Sequence, residues 1–210
     1  MQSNSISLSI GDIVSNAISI GLKNAPMLIL MAILWVITLW IPYLNIGTTI
    51  GLWDQLVRMG RGESISPTAI FNSEYRERIG DFFLLIAFLT AGALAGFVII
   101  GAGTVIGLAW FLAIPLFVDR GTDPLESLTM SNRLTHGNKL TIFLAILILV
   151  GGLAIVALIL MLILQDSPGL MMLLMFIIYI LILPILFAAQ AYVYNRLVPS
   201  PVADVPIGGV

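Results

Sequence analysis

From Leu140 to Leu164, and again from Leu170 to Asn195, the chain carries no charged side chain. Runs of that kind reach the ~20 apolar residues needed to cross a bilayer core, and in lipid a backbone must satisfy its own amides, so each is expected as a membrane helix. The rest of the chain is similar in kind: 60% of the residues are hydrophobic, 10% are charged and the mean hydropathy is +1.10. A soluble domain of 210 residues cannot hide that much apolar surface. The expected fold class is therefore all-α. It is a single polytopic membrane bundle over residues 1–198, followed by an extended tail over 199–210 whose prolines forbid a helix.

Six membrane segments are expected, over about residues 26–41, 46–59, 81–102, 104–118, 140–164 and 170–195. Turn signals at Pro42-Tyr43-Leu44-Asn45, Gly101-Ala102-Gly103 and Gln165-Asp166-Ser167-Pro168-Gly169 pair them into three out-and-back excursions. Segment 46–59 is the odd one. It holds Gly47, Thr48, Thr49, Gly51, Asp54 and Gln55, and at ~1.5 Å per residue it falls short of a ~30 Å core. It is either a short helix buried among the others or half of a re-entrant hairpin. Pro184 predicts a kink in the last segment. Ahead of the first segment, residues 8–24 place Ile10, Ile13, Val14, Ala17, Ile18 and Leu22 at helical spacing, and Ser9 with Asp12 has the form of a capping box. This amphipathic helix either lies in the membrane interface or packs on the ends of the bundle.

Threaded in this way, all nine Lys and Arg residues fall on one side of the membrane. They form four groups: Lys23; Arg58, Arg61, Arg76 and Arg78; Arg120, Arg133 and Lys139; and Arg196. Basic residues near span ends are retained in the cytoplasm, so both termini are expected there. The chain has no cysteine, which excludes disulfides, thiol catalysis and thiolate metal sites. Nothing resembles a basic footprint for nucleic acid. Met1 to Ser9 is polar and uncharged, unlike the start of a secretory signal, so the N-terminus is expected to be retained.

Two connections on the basic side echo each other. One reads Arg61-Gly62-Glu63-Ser64-Ile65-Ser66-Pro67 and the other Arg120-Gly121-Thr122-Asp123-Pro124. After each proline an arginine (Arg76, Arg133) and then a glycine (Gly80, Gly137) follow at equal distance, before an apolar segment begins. Ser66 and Asp123 suit the N-cap, proline suits the first helical position and glycine suits the stop. Elbow helices are thus expected over about 66–79 and 123–136, in a duplicated unit of parallel topology. Such duplication serves either transport or packing alone.

Candidate functional residues are few. Asp54, one helical turn from Arg58, is either half of an interfacial ion pair or a coupling-ion site in a transport path past Gly47, Thr48 and Thr49. Gly47 with Gly51, Gly92 with Gly96, and Gly103 with Gly107 have the spacing that lets helices approach closely in lipid. Gln190 is shallow and suits bonding to a neighbouring backbone. His136 is the sole histidine, and one imidazole does not make a metal site. No nucleophile elbow or phosphate-cradling loop is present, so no cofactor, metal or enzymatic activity is expected. Arg76, Arg133 and His136 lie in the elbows. The acidic neighbours Glu63, Glu74, Glu77, Asp81, Asp119 and Glu126 make that face mixed in sign, better suited to docking protein than to gripping anionic lipid.

The stretch from Phe111 to Phe143, with Val-Asp-Arg-Gly at 118–121, Pro124, Leu125, Glu126, Leu128, Ser131, Leu134, Thr135, Gly137 and Asn138, resembles uncharacterised bacterial multi-span proteins. These are akin to the membrane domain attached to some glycerophosphodiester phosphodiesterases. The run Trp40-Ile41-Pro42-Tyr43-Leu44-Asn45-Ile46-Gly47-Thr48-Thr49 is similar to membrane proteins of Bacteroidetes type. The resemblance implies a bacterial cytoplasmic membrane and carries no catalytic residues. The expected function is a non-enzymatic scaffold or accessory subunit, in contact with membrane lipids and other membrane protein subunits. The alternative is a small transporter or lipid-handling protein.

Overall fold

The computed structural model describes residues 7–98 and 102–198, all helix, turn and connecting loop. In chain order the helices are α1 (Ile10–Thr38), α2 (Leu44–Gly60), α3 (Ile79–Val98), α4 (Ala102–Ala109), α5 (Ala113–Arg120), α6 (Pro124–Thr135), α7 (Lys139–Ile163) and α8 (Pro168–Leu197). Two short 3-10 turns, Pro67–Phe71 and Ser73–Arg76, lie between α2 and α3. Five helical stretches are long and apolar enough to cross a membrane: Ile10–Thr38, Ile79–Gly96, Gly103–Arg120, Lys139–Ile163 and Gly169–Leu197. The protein is membrane-embedded. The expected tail over 199–210 and the far turn at Gly101 lie outside the described residues.

The amphipathic stretch 8–24 and the first segment form one helix that continues past Pro26. The Ser9 side chain accepts from the Asp12 N–H at 3.5 Å, so the predicted cap is in place. Ile13, Ala17, Gly21, Ala25, Leu28 and Met31 are buried along one face. The N-terminal half therefore packs into the bundle, with Ile13 and Ala17 in a core of Leu112, Leu116, Ile142, Ala145 and Val193. Its main neighbour is α8. An added Cβ at Gly21 would fall 2.8 Å from the Cα of Ile185 and 2.9 Å from the carbonyl oxygen of Pro184. The first and last helices approach backbone to backbone at that point, beside Pro184, which lies inside the continuous helix α8.

Residues 104–118, expected as one segment, are broken at Trp110–Leu112 into α4 and α5. Pro115 has no N–H to return to the carbonyl of Phe111, and its ring clashes one turn back. Other elements supply the missing bonds. Ser131 Oγ donates to the Ala109 carbonyl (2.7 Å) and accepts from the Leu112 N–H (3.0 Å), and Gln190 Nε2 donates to the Phe111 carbonyl (2.5 Å).

The two elbows differ. The second is the helix α6, started by Pro124 and ended by Gly137 at φ +83. The first, expected as a helix over 66–79, is instead the pair of 3-10 turns. Asn72 takes an extended ψ of 130 and its side chain accepts from the Glu74 N–H, the local alternative that Asn and Ser offer to a continuing helix. Gly80 lies inside α3 and stops nothing. Both connections fold back along the helix before them. Ile70 and Tyr75 close on Gly51, and Arg76 on Gly47, so Pro67–Arg76 retraces α2. Ser131 of α6 reaches back to the break before α5.

This return overturns one expectation. The turn at Pro42–Asn45 and the residue Arg76 were expected on opposite sides of the membrane. Trp40, Tyr43, Asn45, Arg76, Glu77 and Phe83 line a single surface hollow.

Candidate functional site

The C-terminal half of α2 organises the charged end of the bundle. The helix is enclosed on nearly every side, with Gly47, Thr48, Ile50, Gly51, Leu52, Gln55, Leu56, Val57 and Met59 buried and Arg58 exposed. Asp54 Oδ2 accepts from Arg58 Nε (2.8 Å), Tyr75 Oη (2.7 Å) and Gln55 Nε2 (3.1 Å). Gln55 Oε1 in turn accepts from the Ser66 N–H at 3.0 Å, and Arg58 lies 3.8 Å from Glu63. The predicted pairing of Asp54 with Arg58 is thus present, inside a cluster that pins the returning segment onto α2. Gly51 has no side chain to keep the Tyr75 ring away. Burial, and then the bond to Asp54 and its charge, push the Tyr75 phenol up from 10.0 to about 12.

A second carboxylate, one turn further along the same surface, escaped the sequence reading as a site. Asp119, at the end of α5, has a side chain only 9% exposed. Its Oδ2 accepts from Arg61 Nη2 (2.5 Å) and Tyr194 Oη (2.5 Å), with Arg120 Nε at 3.6 Å. Each carboxylate therefore receives one phenol and at least one guanidinium. Arg58 and Arg61 supply them from adjacent turns of the same helix end. The echo of Arg61-Gly62 in Arg120-Gly121 was the available signal, but it pointed to the loop and not to the residue before it.

Arg78 closes the end of α5. Its guanidinium donates to the carbonyls of Phe117 (3.2 Å) and Thr122 (3.0 Å), lies 4.2 Å from the Phe117 ring centroid and is 3.5 Å from Asp81. A cation is favourable at a helix C-terminus, where carbonyls lack intrahelical partners. Gly121, left-handed at φ +63, allows the chain to turn away beneath it.

The remaining expected residues separate. Gly47 and Gly51 admit the returning segment and not a spanning helix. Gly92 makes room for the Trp110 ring, and Gly103 packs on Gly96, with an added Cβ only 3.3 Å from the Gly96 backbone. Among the described residues nothing lies within 4 Å of a Cβ added at Gly107. The polar groups of the supposed path hold α1 and α2 together. Thr48 and Thr38 share a 2.7 Å hydrogen bond, Trp35 Nε1 donates to Thr49 (2.8 Å), and Thr49 donates to the Asn45 carbonyl (2.6 Å). Arg133 and His136 are exposed at the end of α6. Gly60, beside Asn195 and the Ala191 carbonyl, and Gly21 are close-approach glycines that no spacing rule singled out.

Chemically, these clusters fix helix ends to one another. Among the described residues no three His, Asp or Glu side chains gather as a metal site. Compared with protein-family models, with characterised proteins and with solved structures, the chain matches none.

Proposed function

We propose that this chain is a non-enzymatic scaffold or accessory subunit of a complex in a bacterial cytoplasmic membrane. The observation that carries the reading is the bare flank of its last hairpin. Buried residues of α7 stop at Leu149 and those of α8 begin at Pro184, so among the described residues the distal parts of both helices keep one flank of large apolar side chains exposed. Met161, Leu162, Ile163, Met172, Leu173 and Phe176 are all exposed. In lipid such a flank is available to another membrane helix.

The paired carboxylates support a non-catalytic role. Asp54 and Asp119 are each occupied by donors from their own chain, which suits bracing better than proton relay or ion coupling. In this proposal both termini are cytoplasmic and six segments enter the membrane. The related elbows mark a duplicated unit kept for packing, and the likeness to the membrane domain of certain phosphodiesterases belongs to the same proposal.

Purification in mild detergent, with identification of what accompanies the protein, tests it. A stoichiometric membrane protein partner is expected, lost when bulky residues are replaced along the distal part of α7. An Asp54→Asn variant of normal abundance that abolished a measurable flux would defeat the reading.

A further inference from the structure

The hollow of about 660 Å³ beside the α1–α2 turn has two characters. Leu39, Ile46 and Phe83 make one wall apolar, whereas Arg76 and Glu77 bring opposite charges to the same opening. Trp40 and Tyr43 at its rim are 87% and 73% exposed. Aromatic side chains of this kind collect at the boundary between hydrocarbon and headgroups, which places the opening at headgroup depth. The stem of Arg76 is held against Gly47, which directs where the guanidinium can go. Neither Arg76 nor Glu77 has a side-chain hydrogen bond or ion pair among the described residues, unlike Arg58, Arg61 and Arg78 in the same bundle. Beneath them the Oδ1 of Asn45 is buried without a donor.

We infer that this hollow is a binding site for a phospholipid whose headgroup carries both a phosphate and a primary ammonium. The phosphate pairs with Arg76, whose planar fork of donors matches phosphate oxygens. The ammonium lies against Glu77, and an acyl chain follows Leu39, Ile46 and Phe83. An anionic headgroup without an ammonium would meet the Glu77 carboxylate unscreened. The site stands whether or not a partner subunit docks on α7 and α8.

The full chain, purified in a maltoside detergent and incubated with equimolar phosphatidylethanolamine and phosphatidylglycerol, reports on this by native mass spectrometry of retained lipid. Wild type is expected to retain phosphatidylethanolamine over phosphatidylglycerol by roughly tenfold, the ratio that one good charged contact supplies. Arg76→Gln, whose shorter stem still covers Gly47, should lose that retention while keeping its helical circular dichroism. Glu77→Gln should keep lipid but shift preference towards phosphatidylglycerol, an exchange that a merely structural residue would not produce. Glycerophosphoethanolamine and inorganic phosphate should compete weakly, since neither brings a chain. Equal retention in wild type and Arg76→Gln, no preference between the two lipids, or full competition by glycerophosphoethanolamine would each overturn the proposal.

Discussion

Gln190 Nε2 donates to the carbonyl oxygen of Phe111 at 2.5 Å, across 79 residues of sequence. The carbonyl it reaches is the one that Pro115 leaves without a partner, so a side chain of α8 completes the backbone of the α4–α5 break. Replacing Gln190 with Leu should strand that carbonyl, and Ser131→Ala should strand two backbone groups. An unsatisfied buried polar group costs about 1–3 kcal/mol. Both variants should therefore melt earlier in detergent than wild type, with Ser131→Ala at least as affected. Unchanged melting of both would remove the bracing role.

Gly21 and Gly107 offer a matched contrast. An alanine at 21 would drive its Cβ into the backbone of Pro184 and Ile185, which cannot swing aside as a side chain would. Overpacking of that kind costs about 1–3 kcal/mol. Alanine at 107 meets open space and gains helix propensity of up to about 1 kcal/mol. Thermal denaturation of the two variants should therefore move in opposite directions from wild type.

Tyr75 gives the fold an alkaline sensitivity. Its phenol titrates at about 12 when folded, against an ordinary 10.0. Below pH 10 both states hold the proton and the bias has no pH slope. Between about pH 10 and 12 the unfolded chain loses the proton while the folded one keeps it, so stability falls as pH rises. Tyr75→Phe should flatten that part of the curve relative to wild type. Parallel curves for the two proteins from pH 9 to 12 would contradict the assignment.

The chain lacks cysteine, so single cysteines report topology without background. Tyr43→Cys and Glu77→Cys line one hollow and should react with an impermeant maleimide from the same side of the membrane. Asp166→Cys, in the α7–α8 turn, should react from the other. Labelling of the first two from opposite sides would restore a full α1–α2 excursion.

Much of the bundle was legible in the sequence, and its failures have physical causes. The charge-free runs gave α7 and α8 directly, because lipid leaves the backbone no other solution. The spacing of Asp54 and Arg58 gave their contact, since neighbours one turn apart on a helix must meet. Local rules failed where a bond or contact came from far along the chain. Nothing near Asp119 announces Tyr194, and nothing near Gly21 announces Pro184. The first elbow was misread because a proline and a polar cap suit a 3-10 turn as well as an α-helix, and Asn72 decided between them. Pro115 did signal a stranded carbonyl. It could not name Gln190 as the donor.

The crossing of α1 and α8 at Gly21 also bears on how the molecule comes to be made. Synthesis runs from the N-terminus, so the first helix emerges long before the one it packs against most extensively. Until the final helix is released, Gly21 has no Pro184 to meet and Asp119 has no Tyr194. The nascent protein must wait in the bilayer as loosely joined hairpins, and the thirty residues of α8 act as the closing clasp. A chain cut short within α8 would present an open bundle for membrane proteases to recognise.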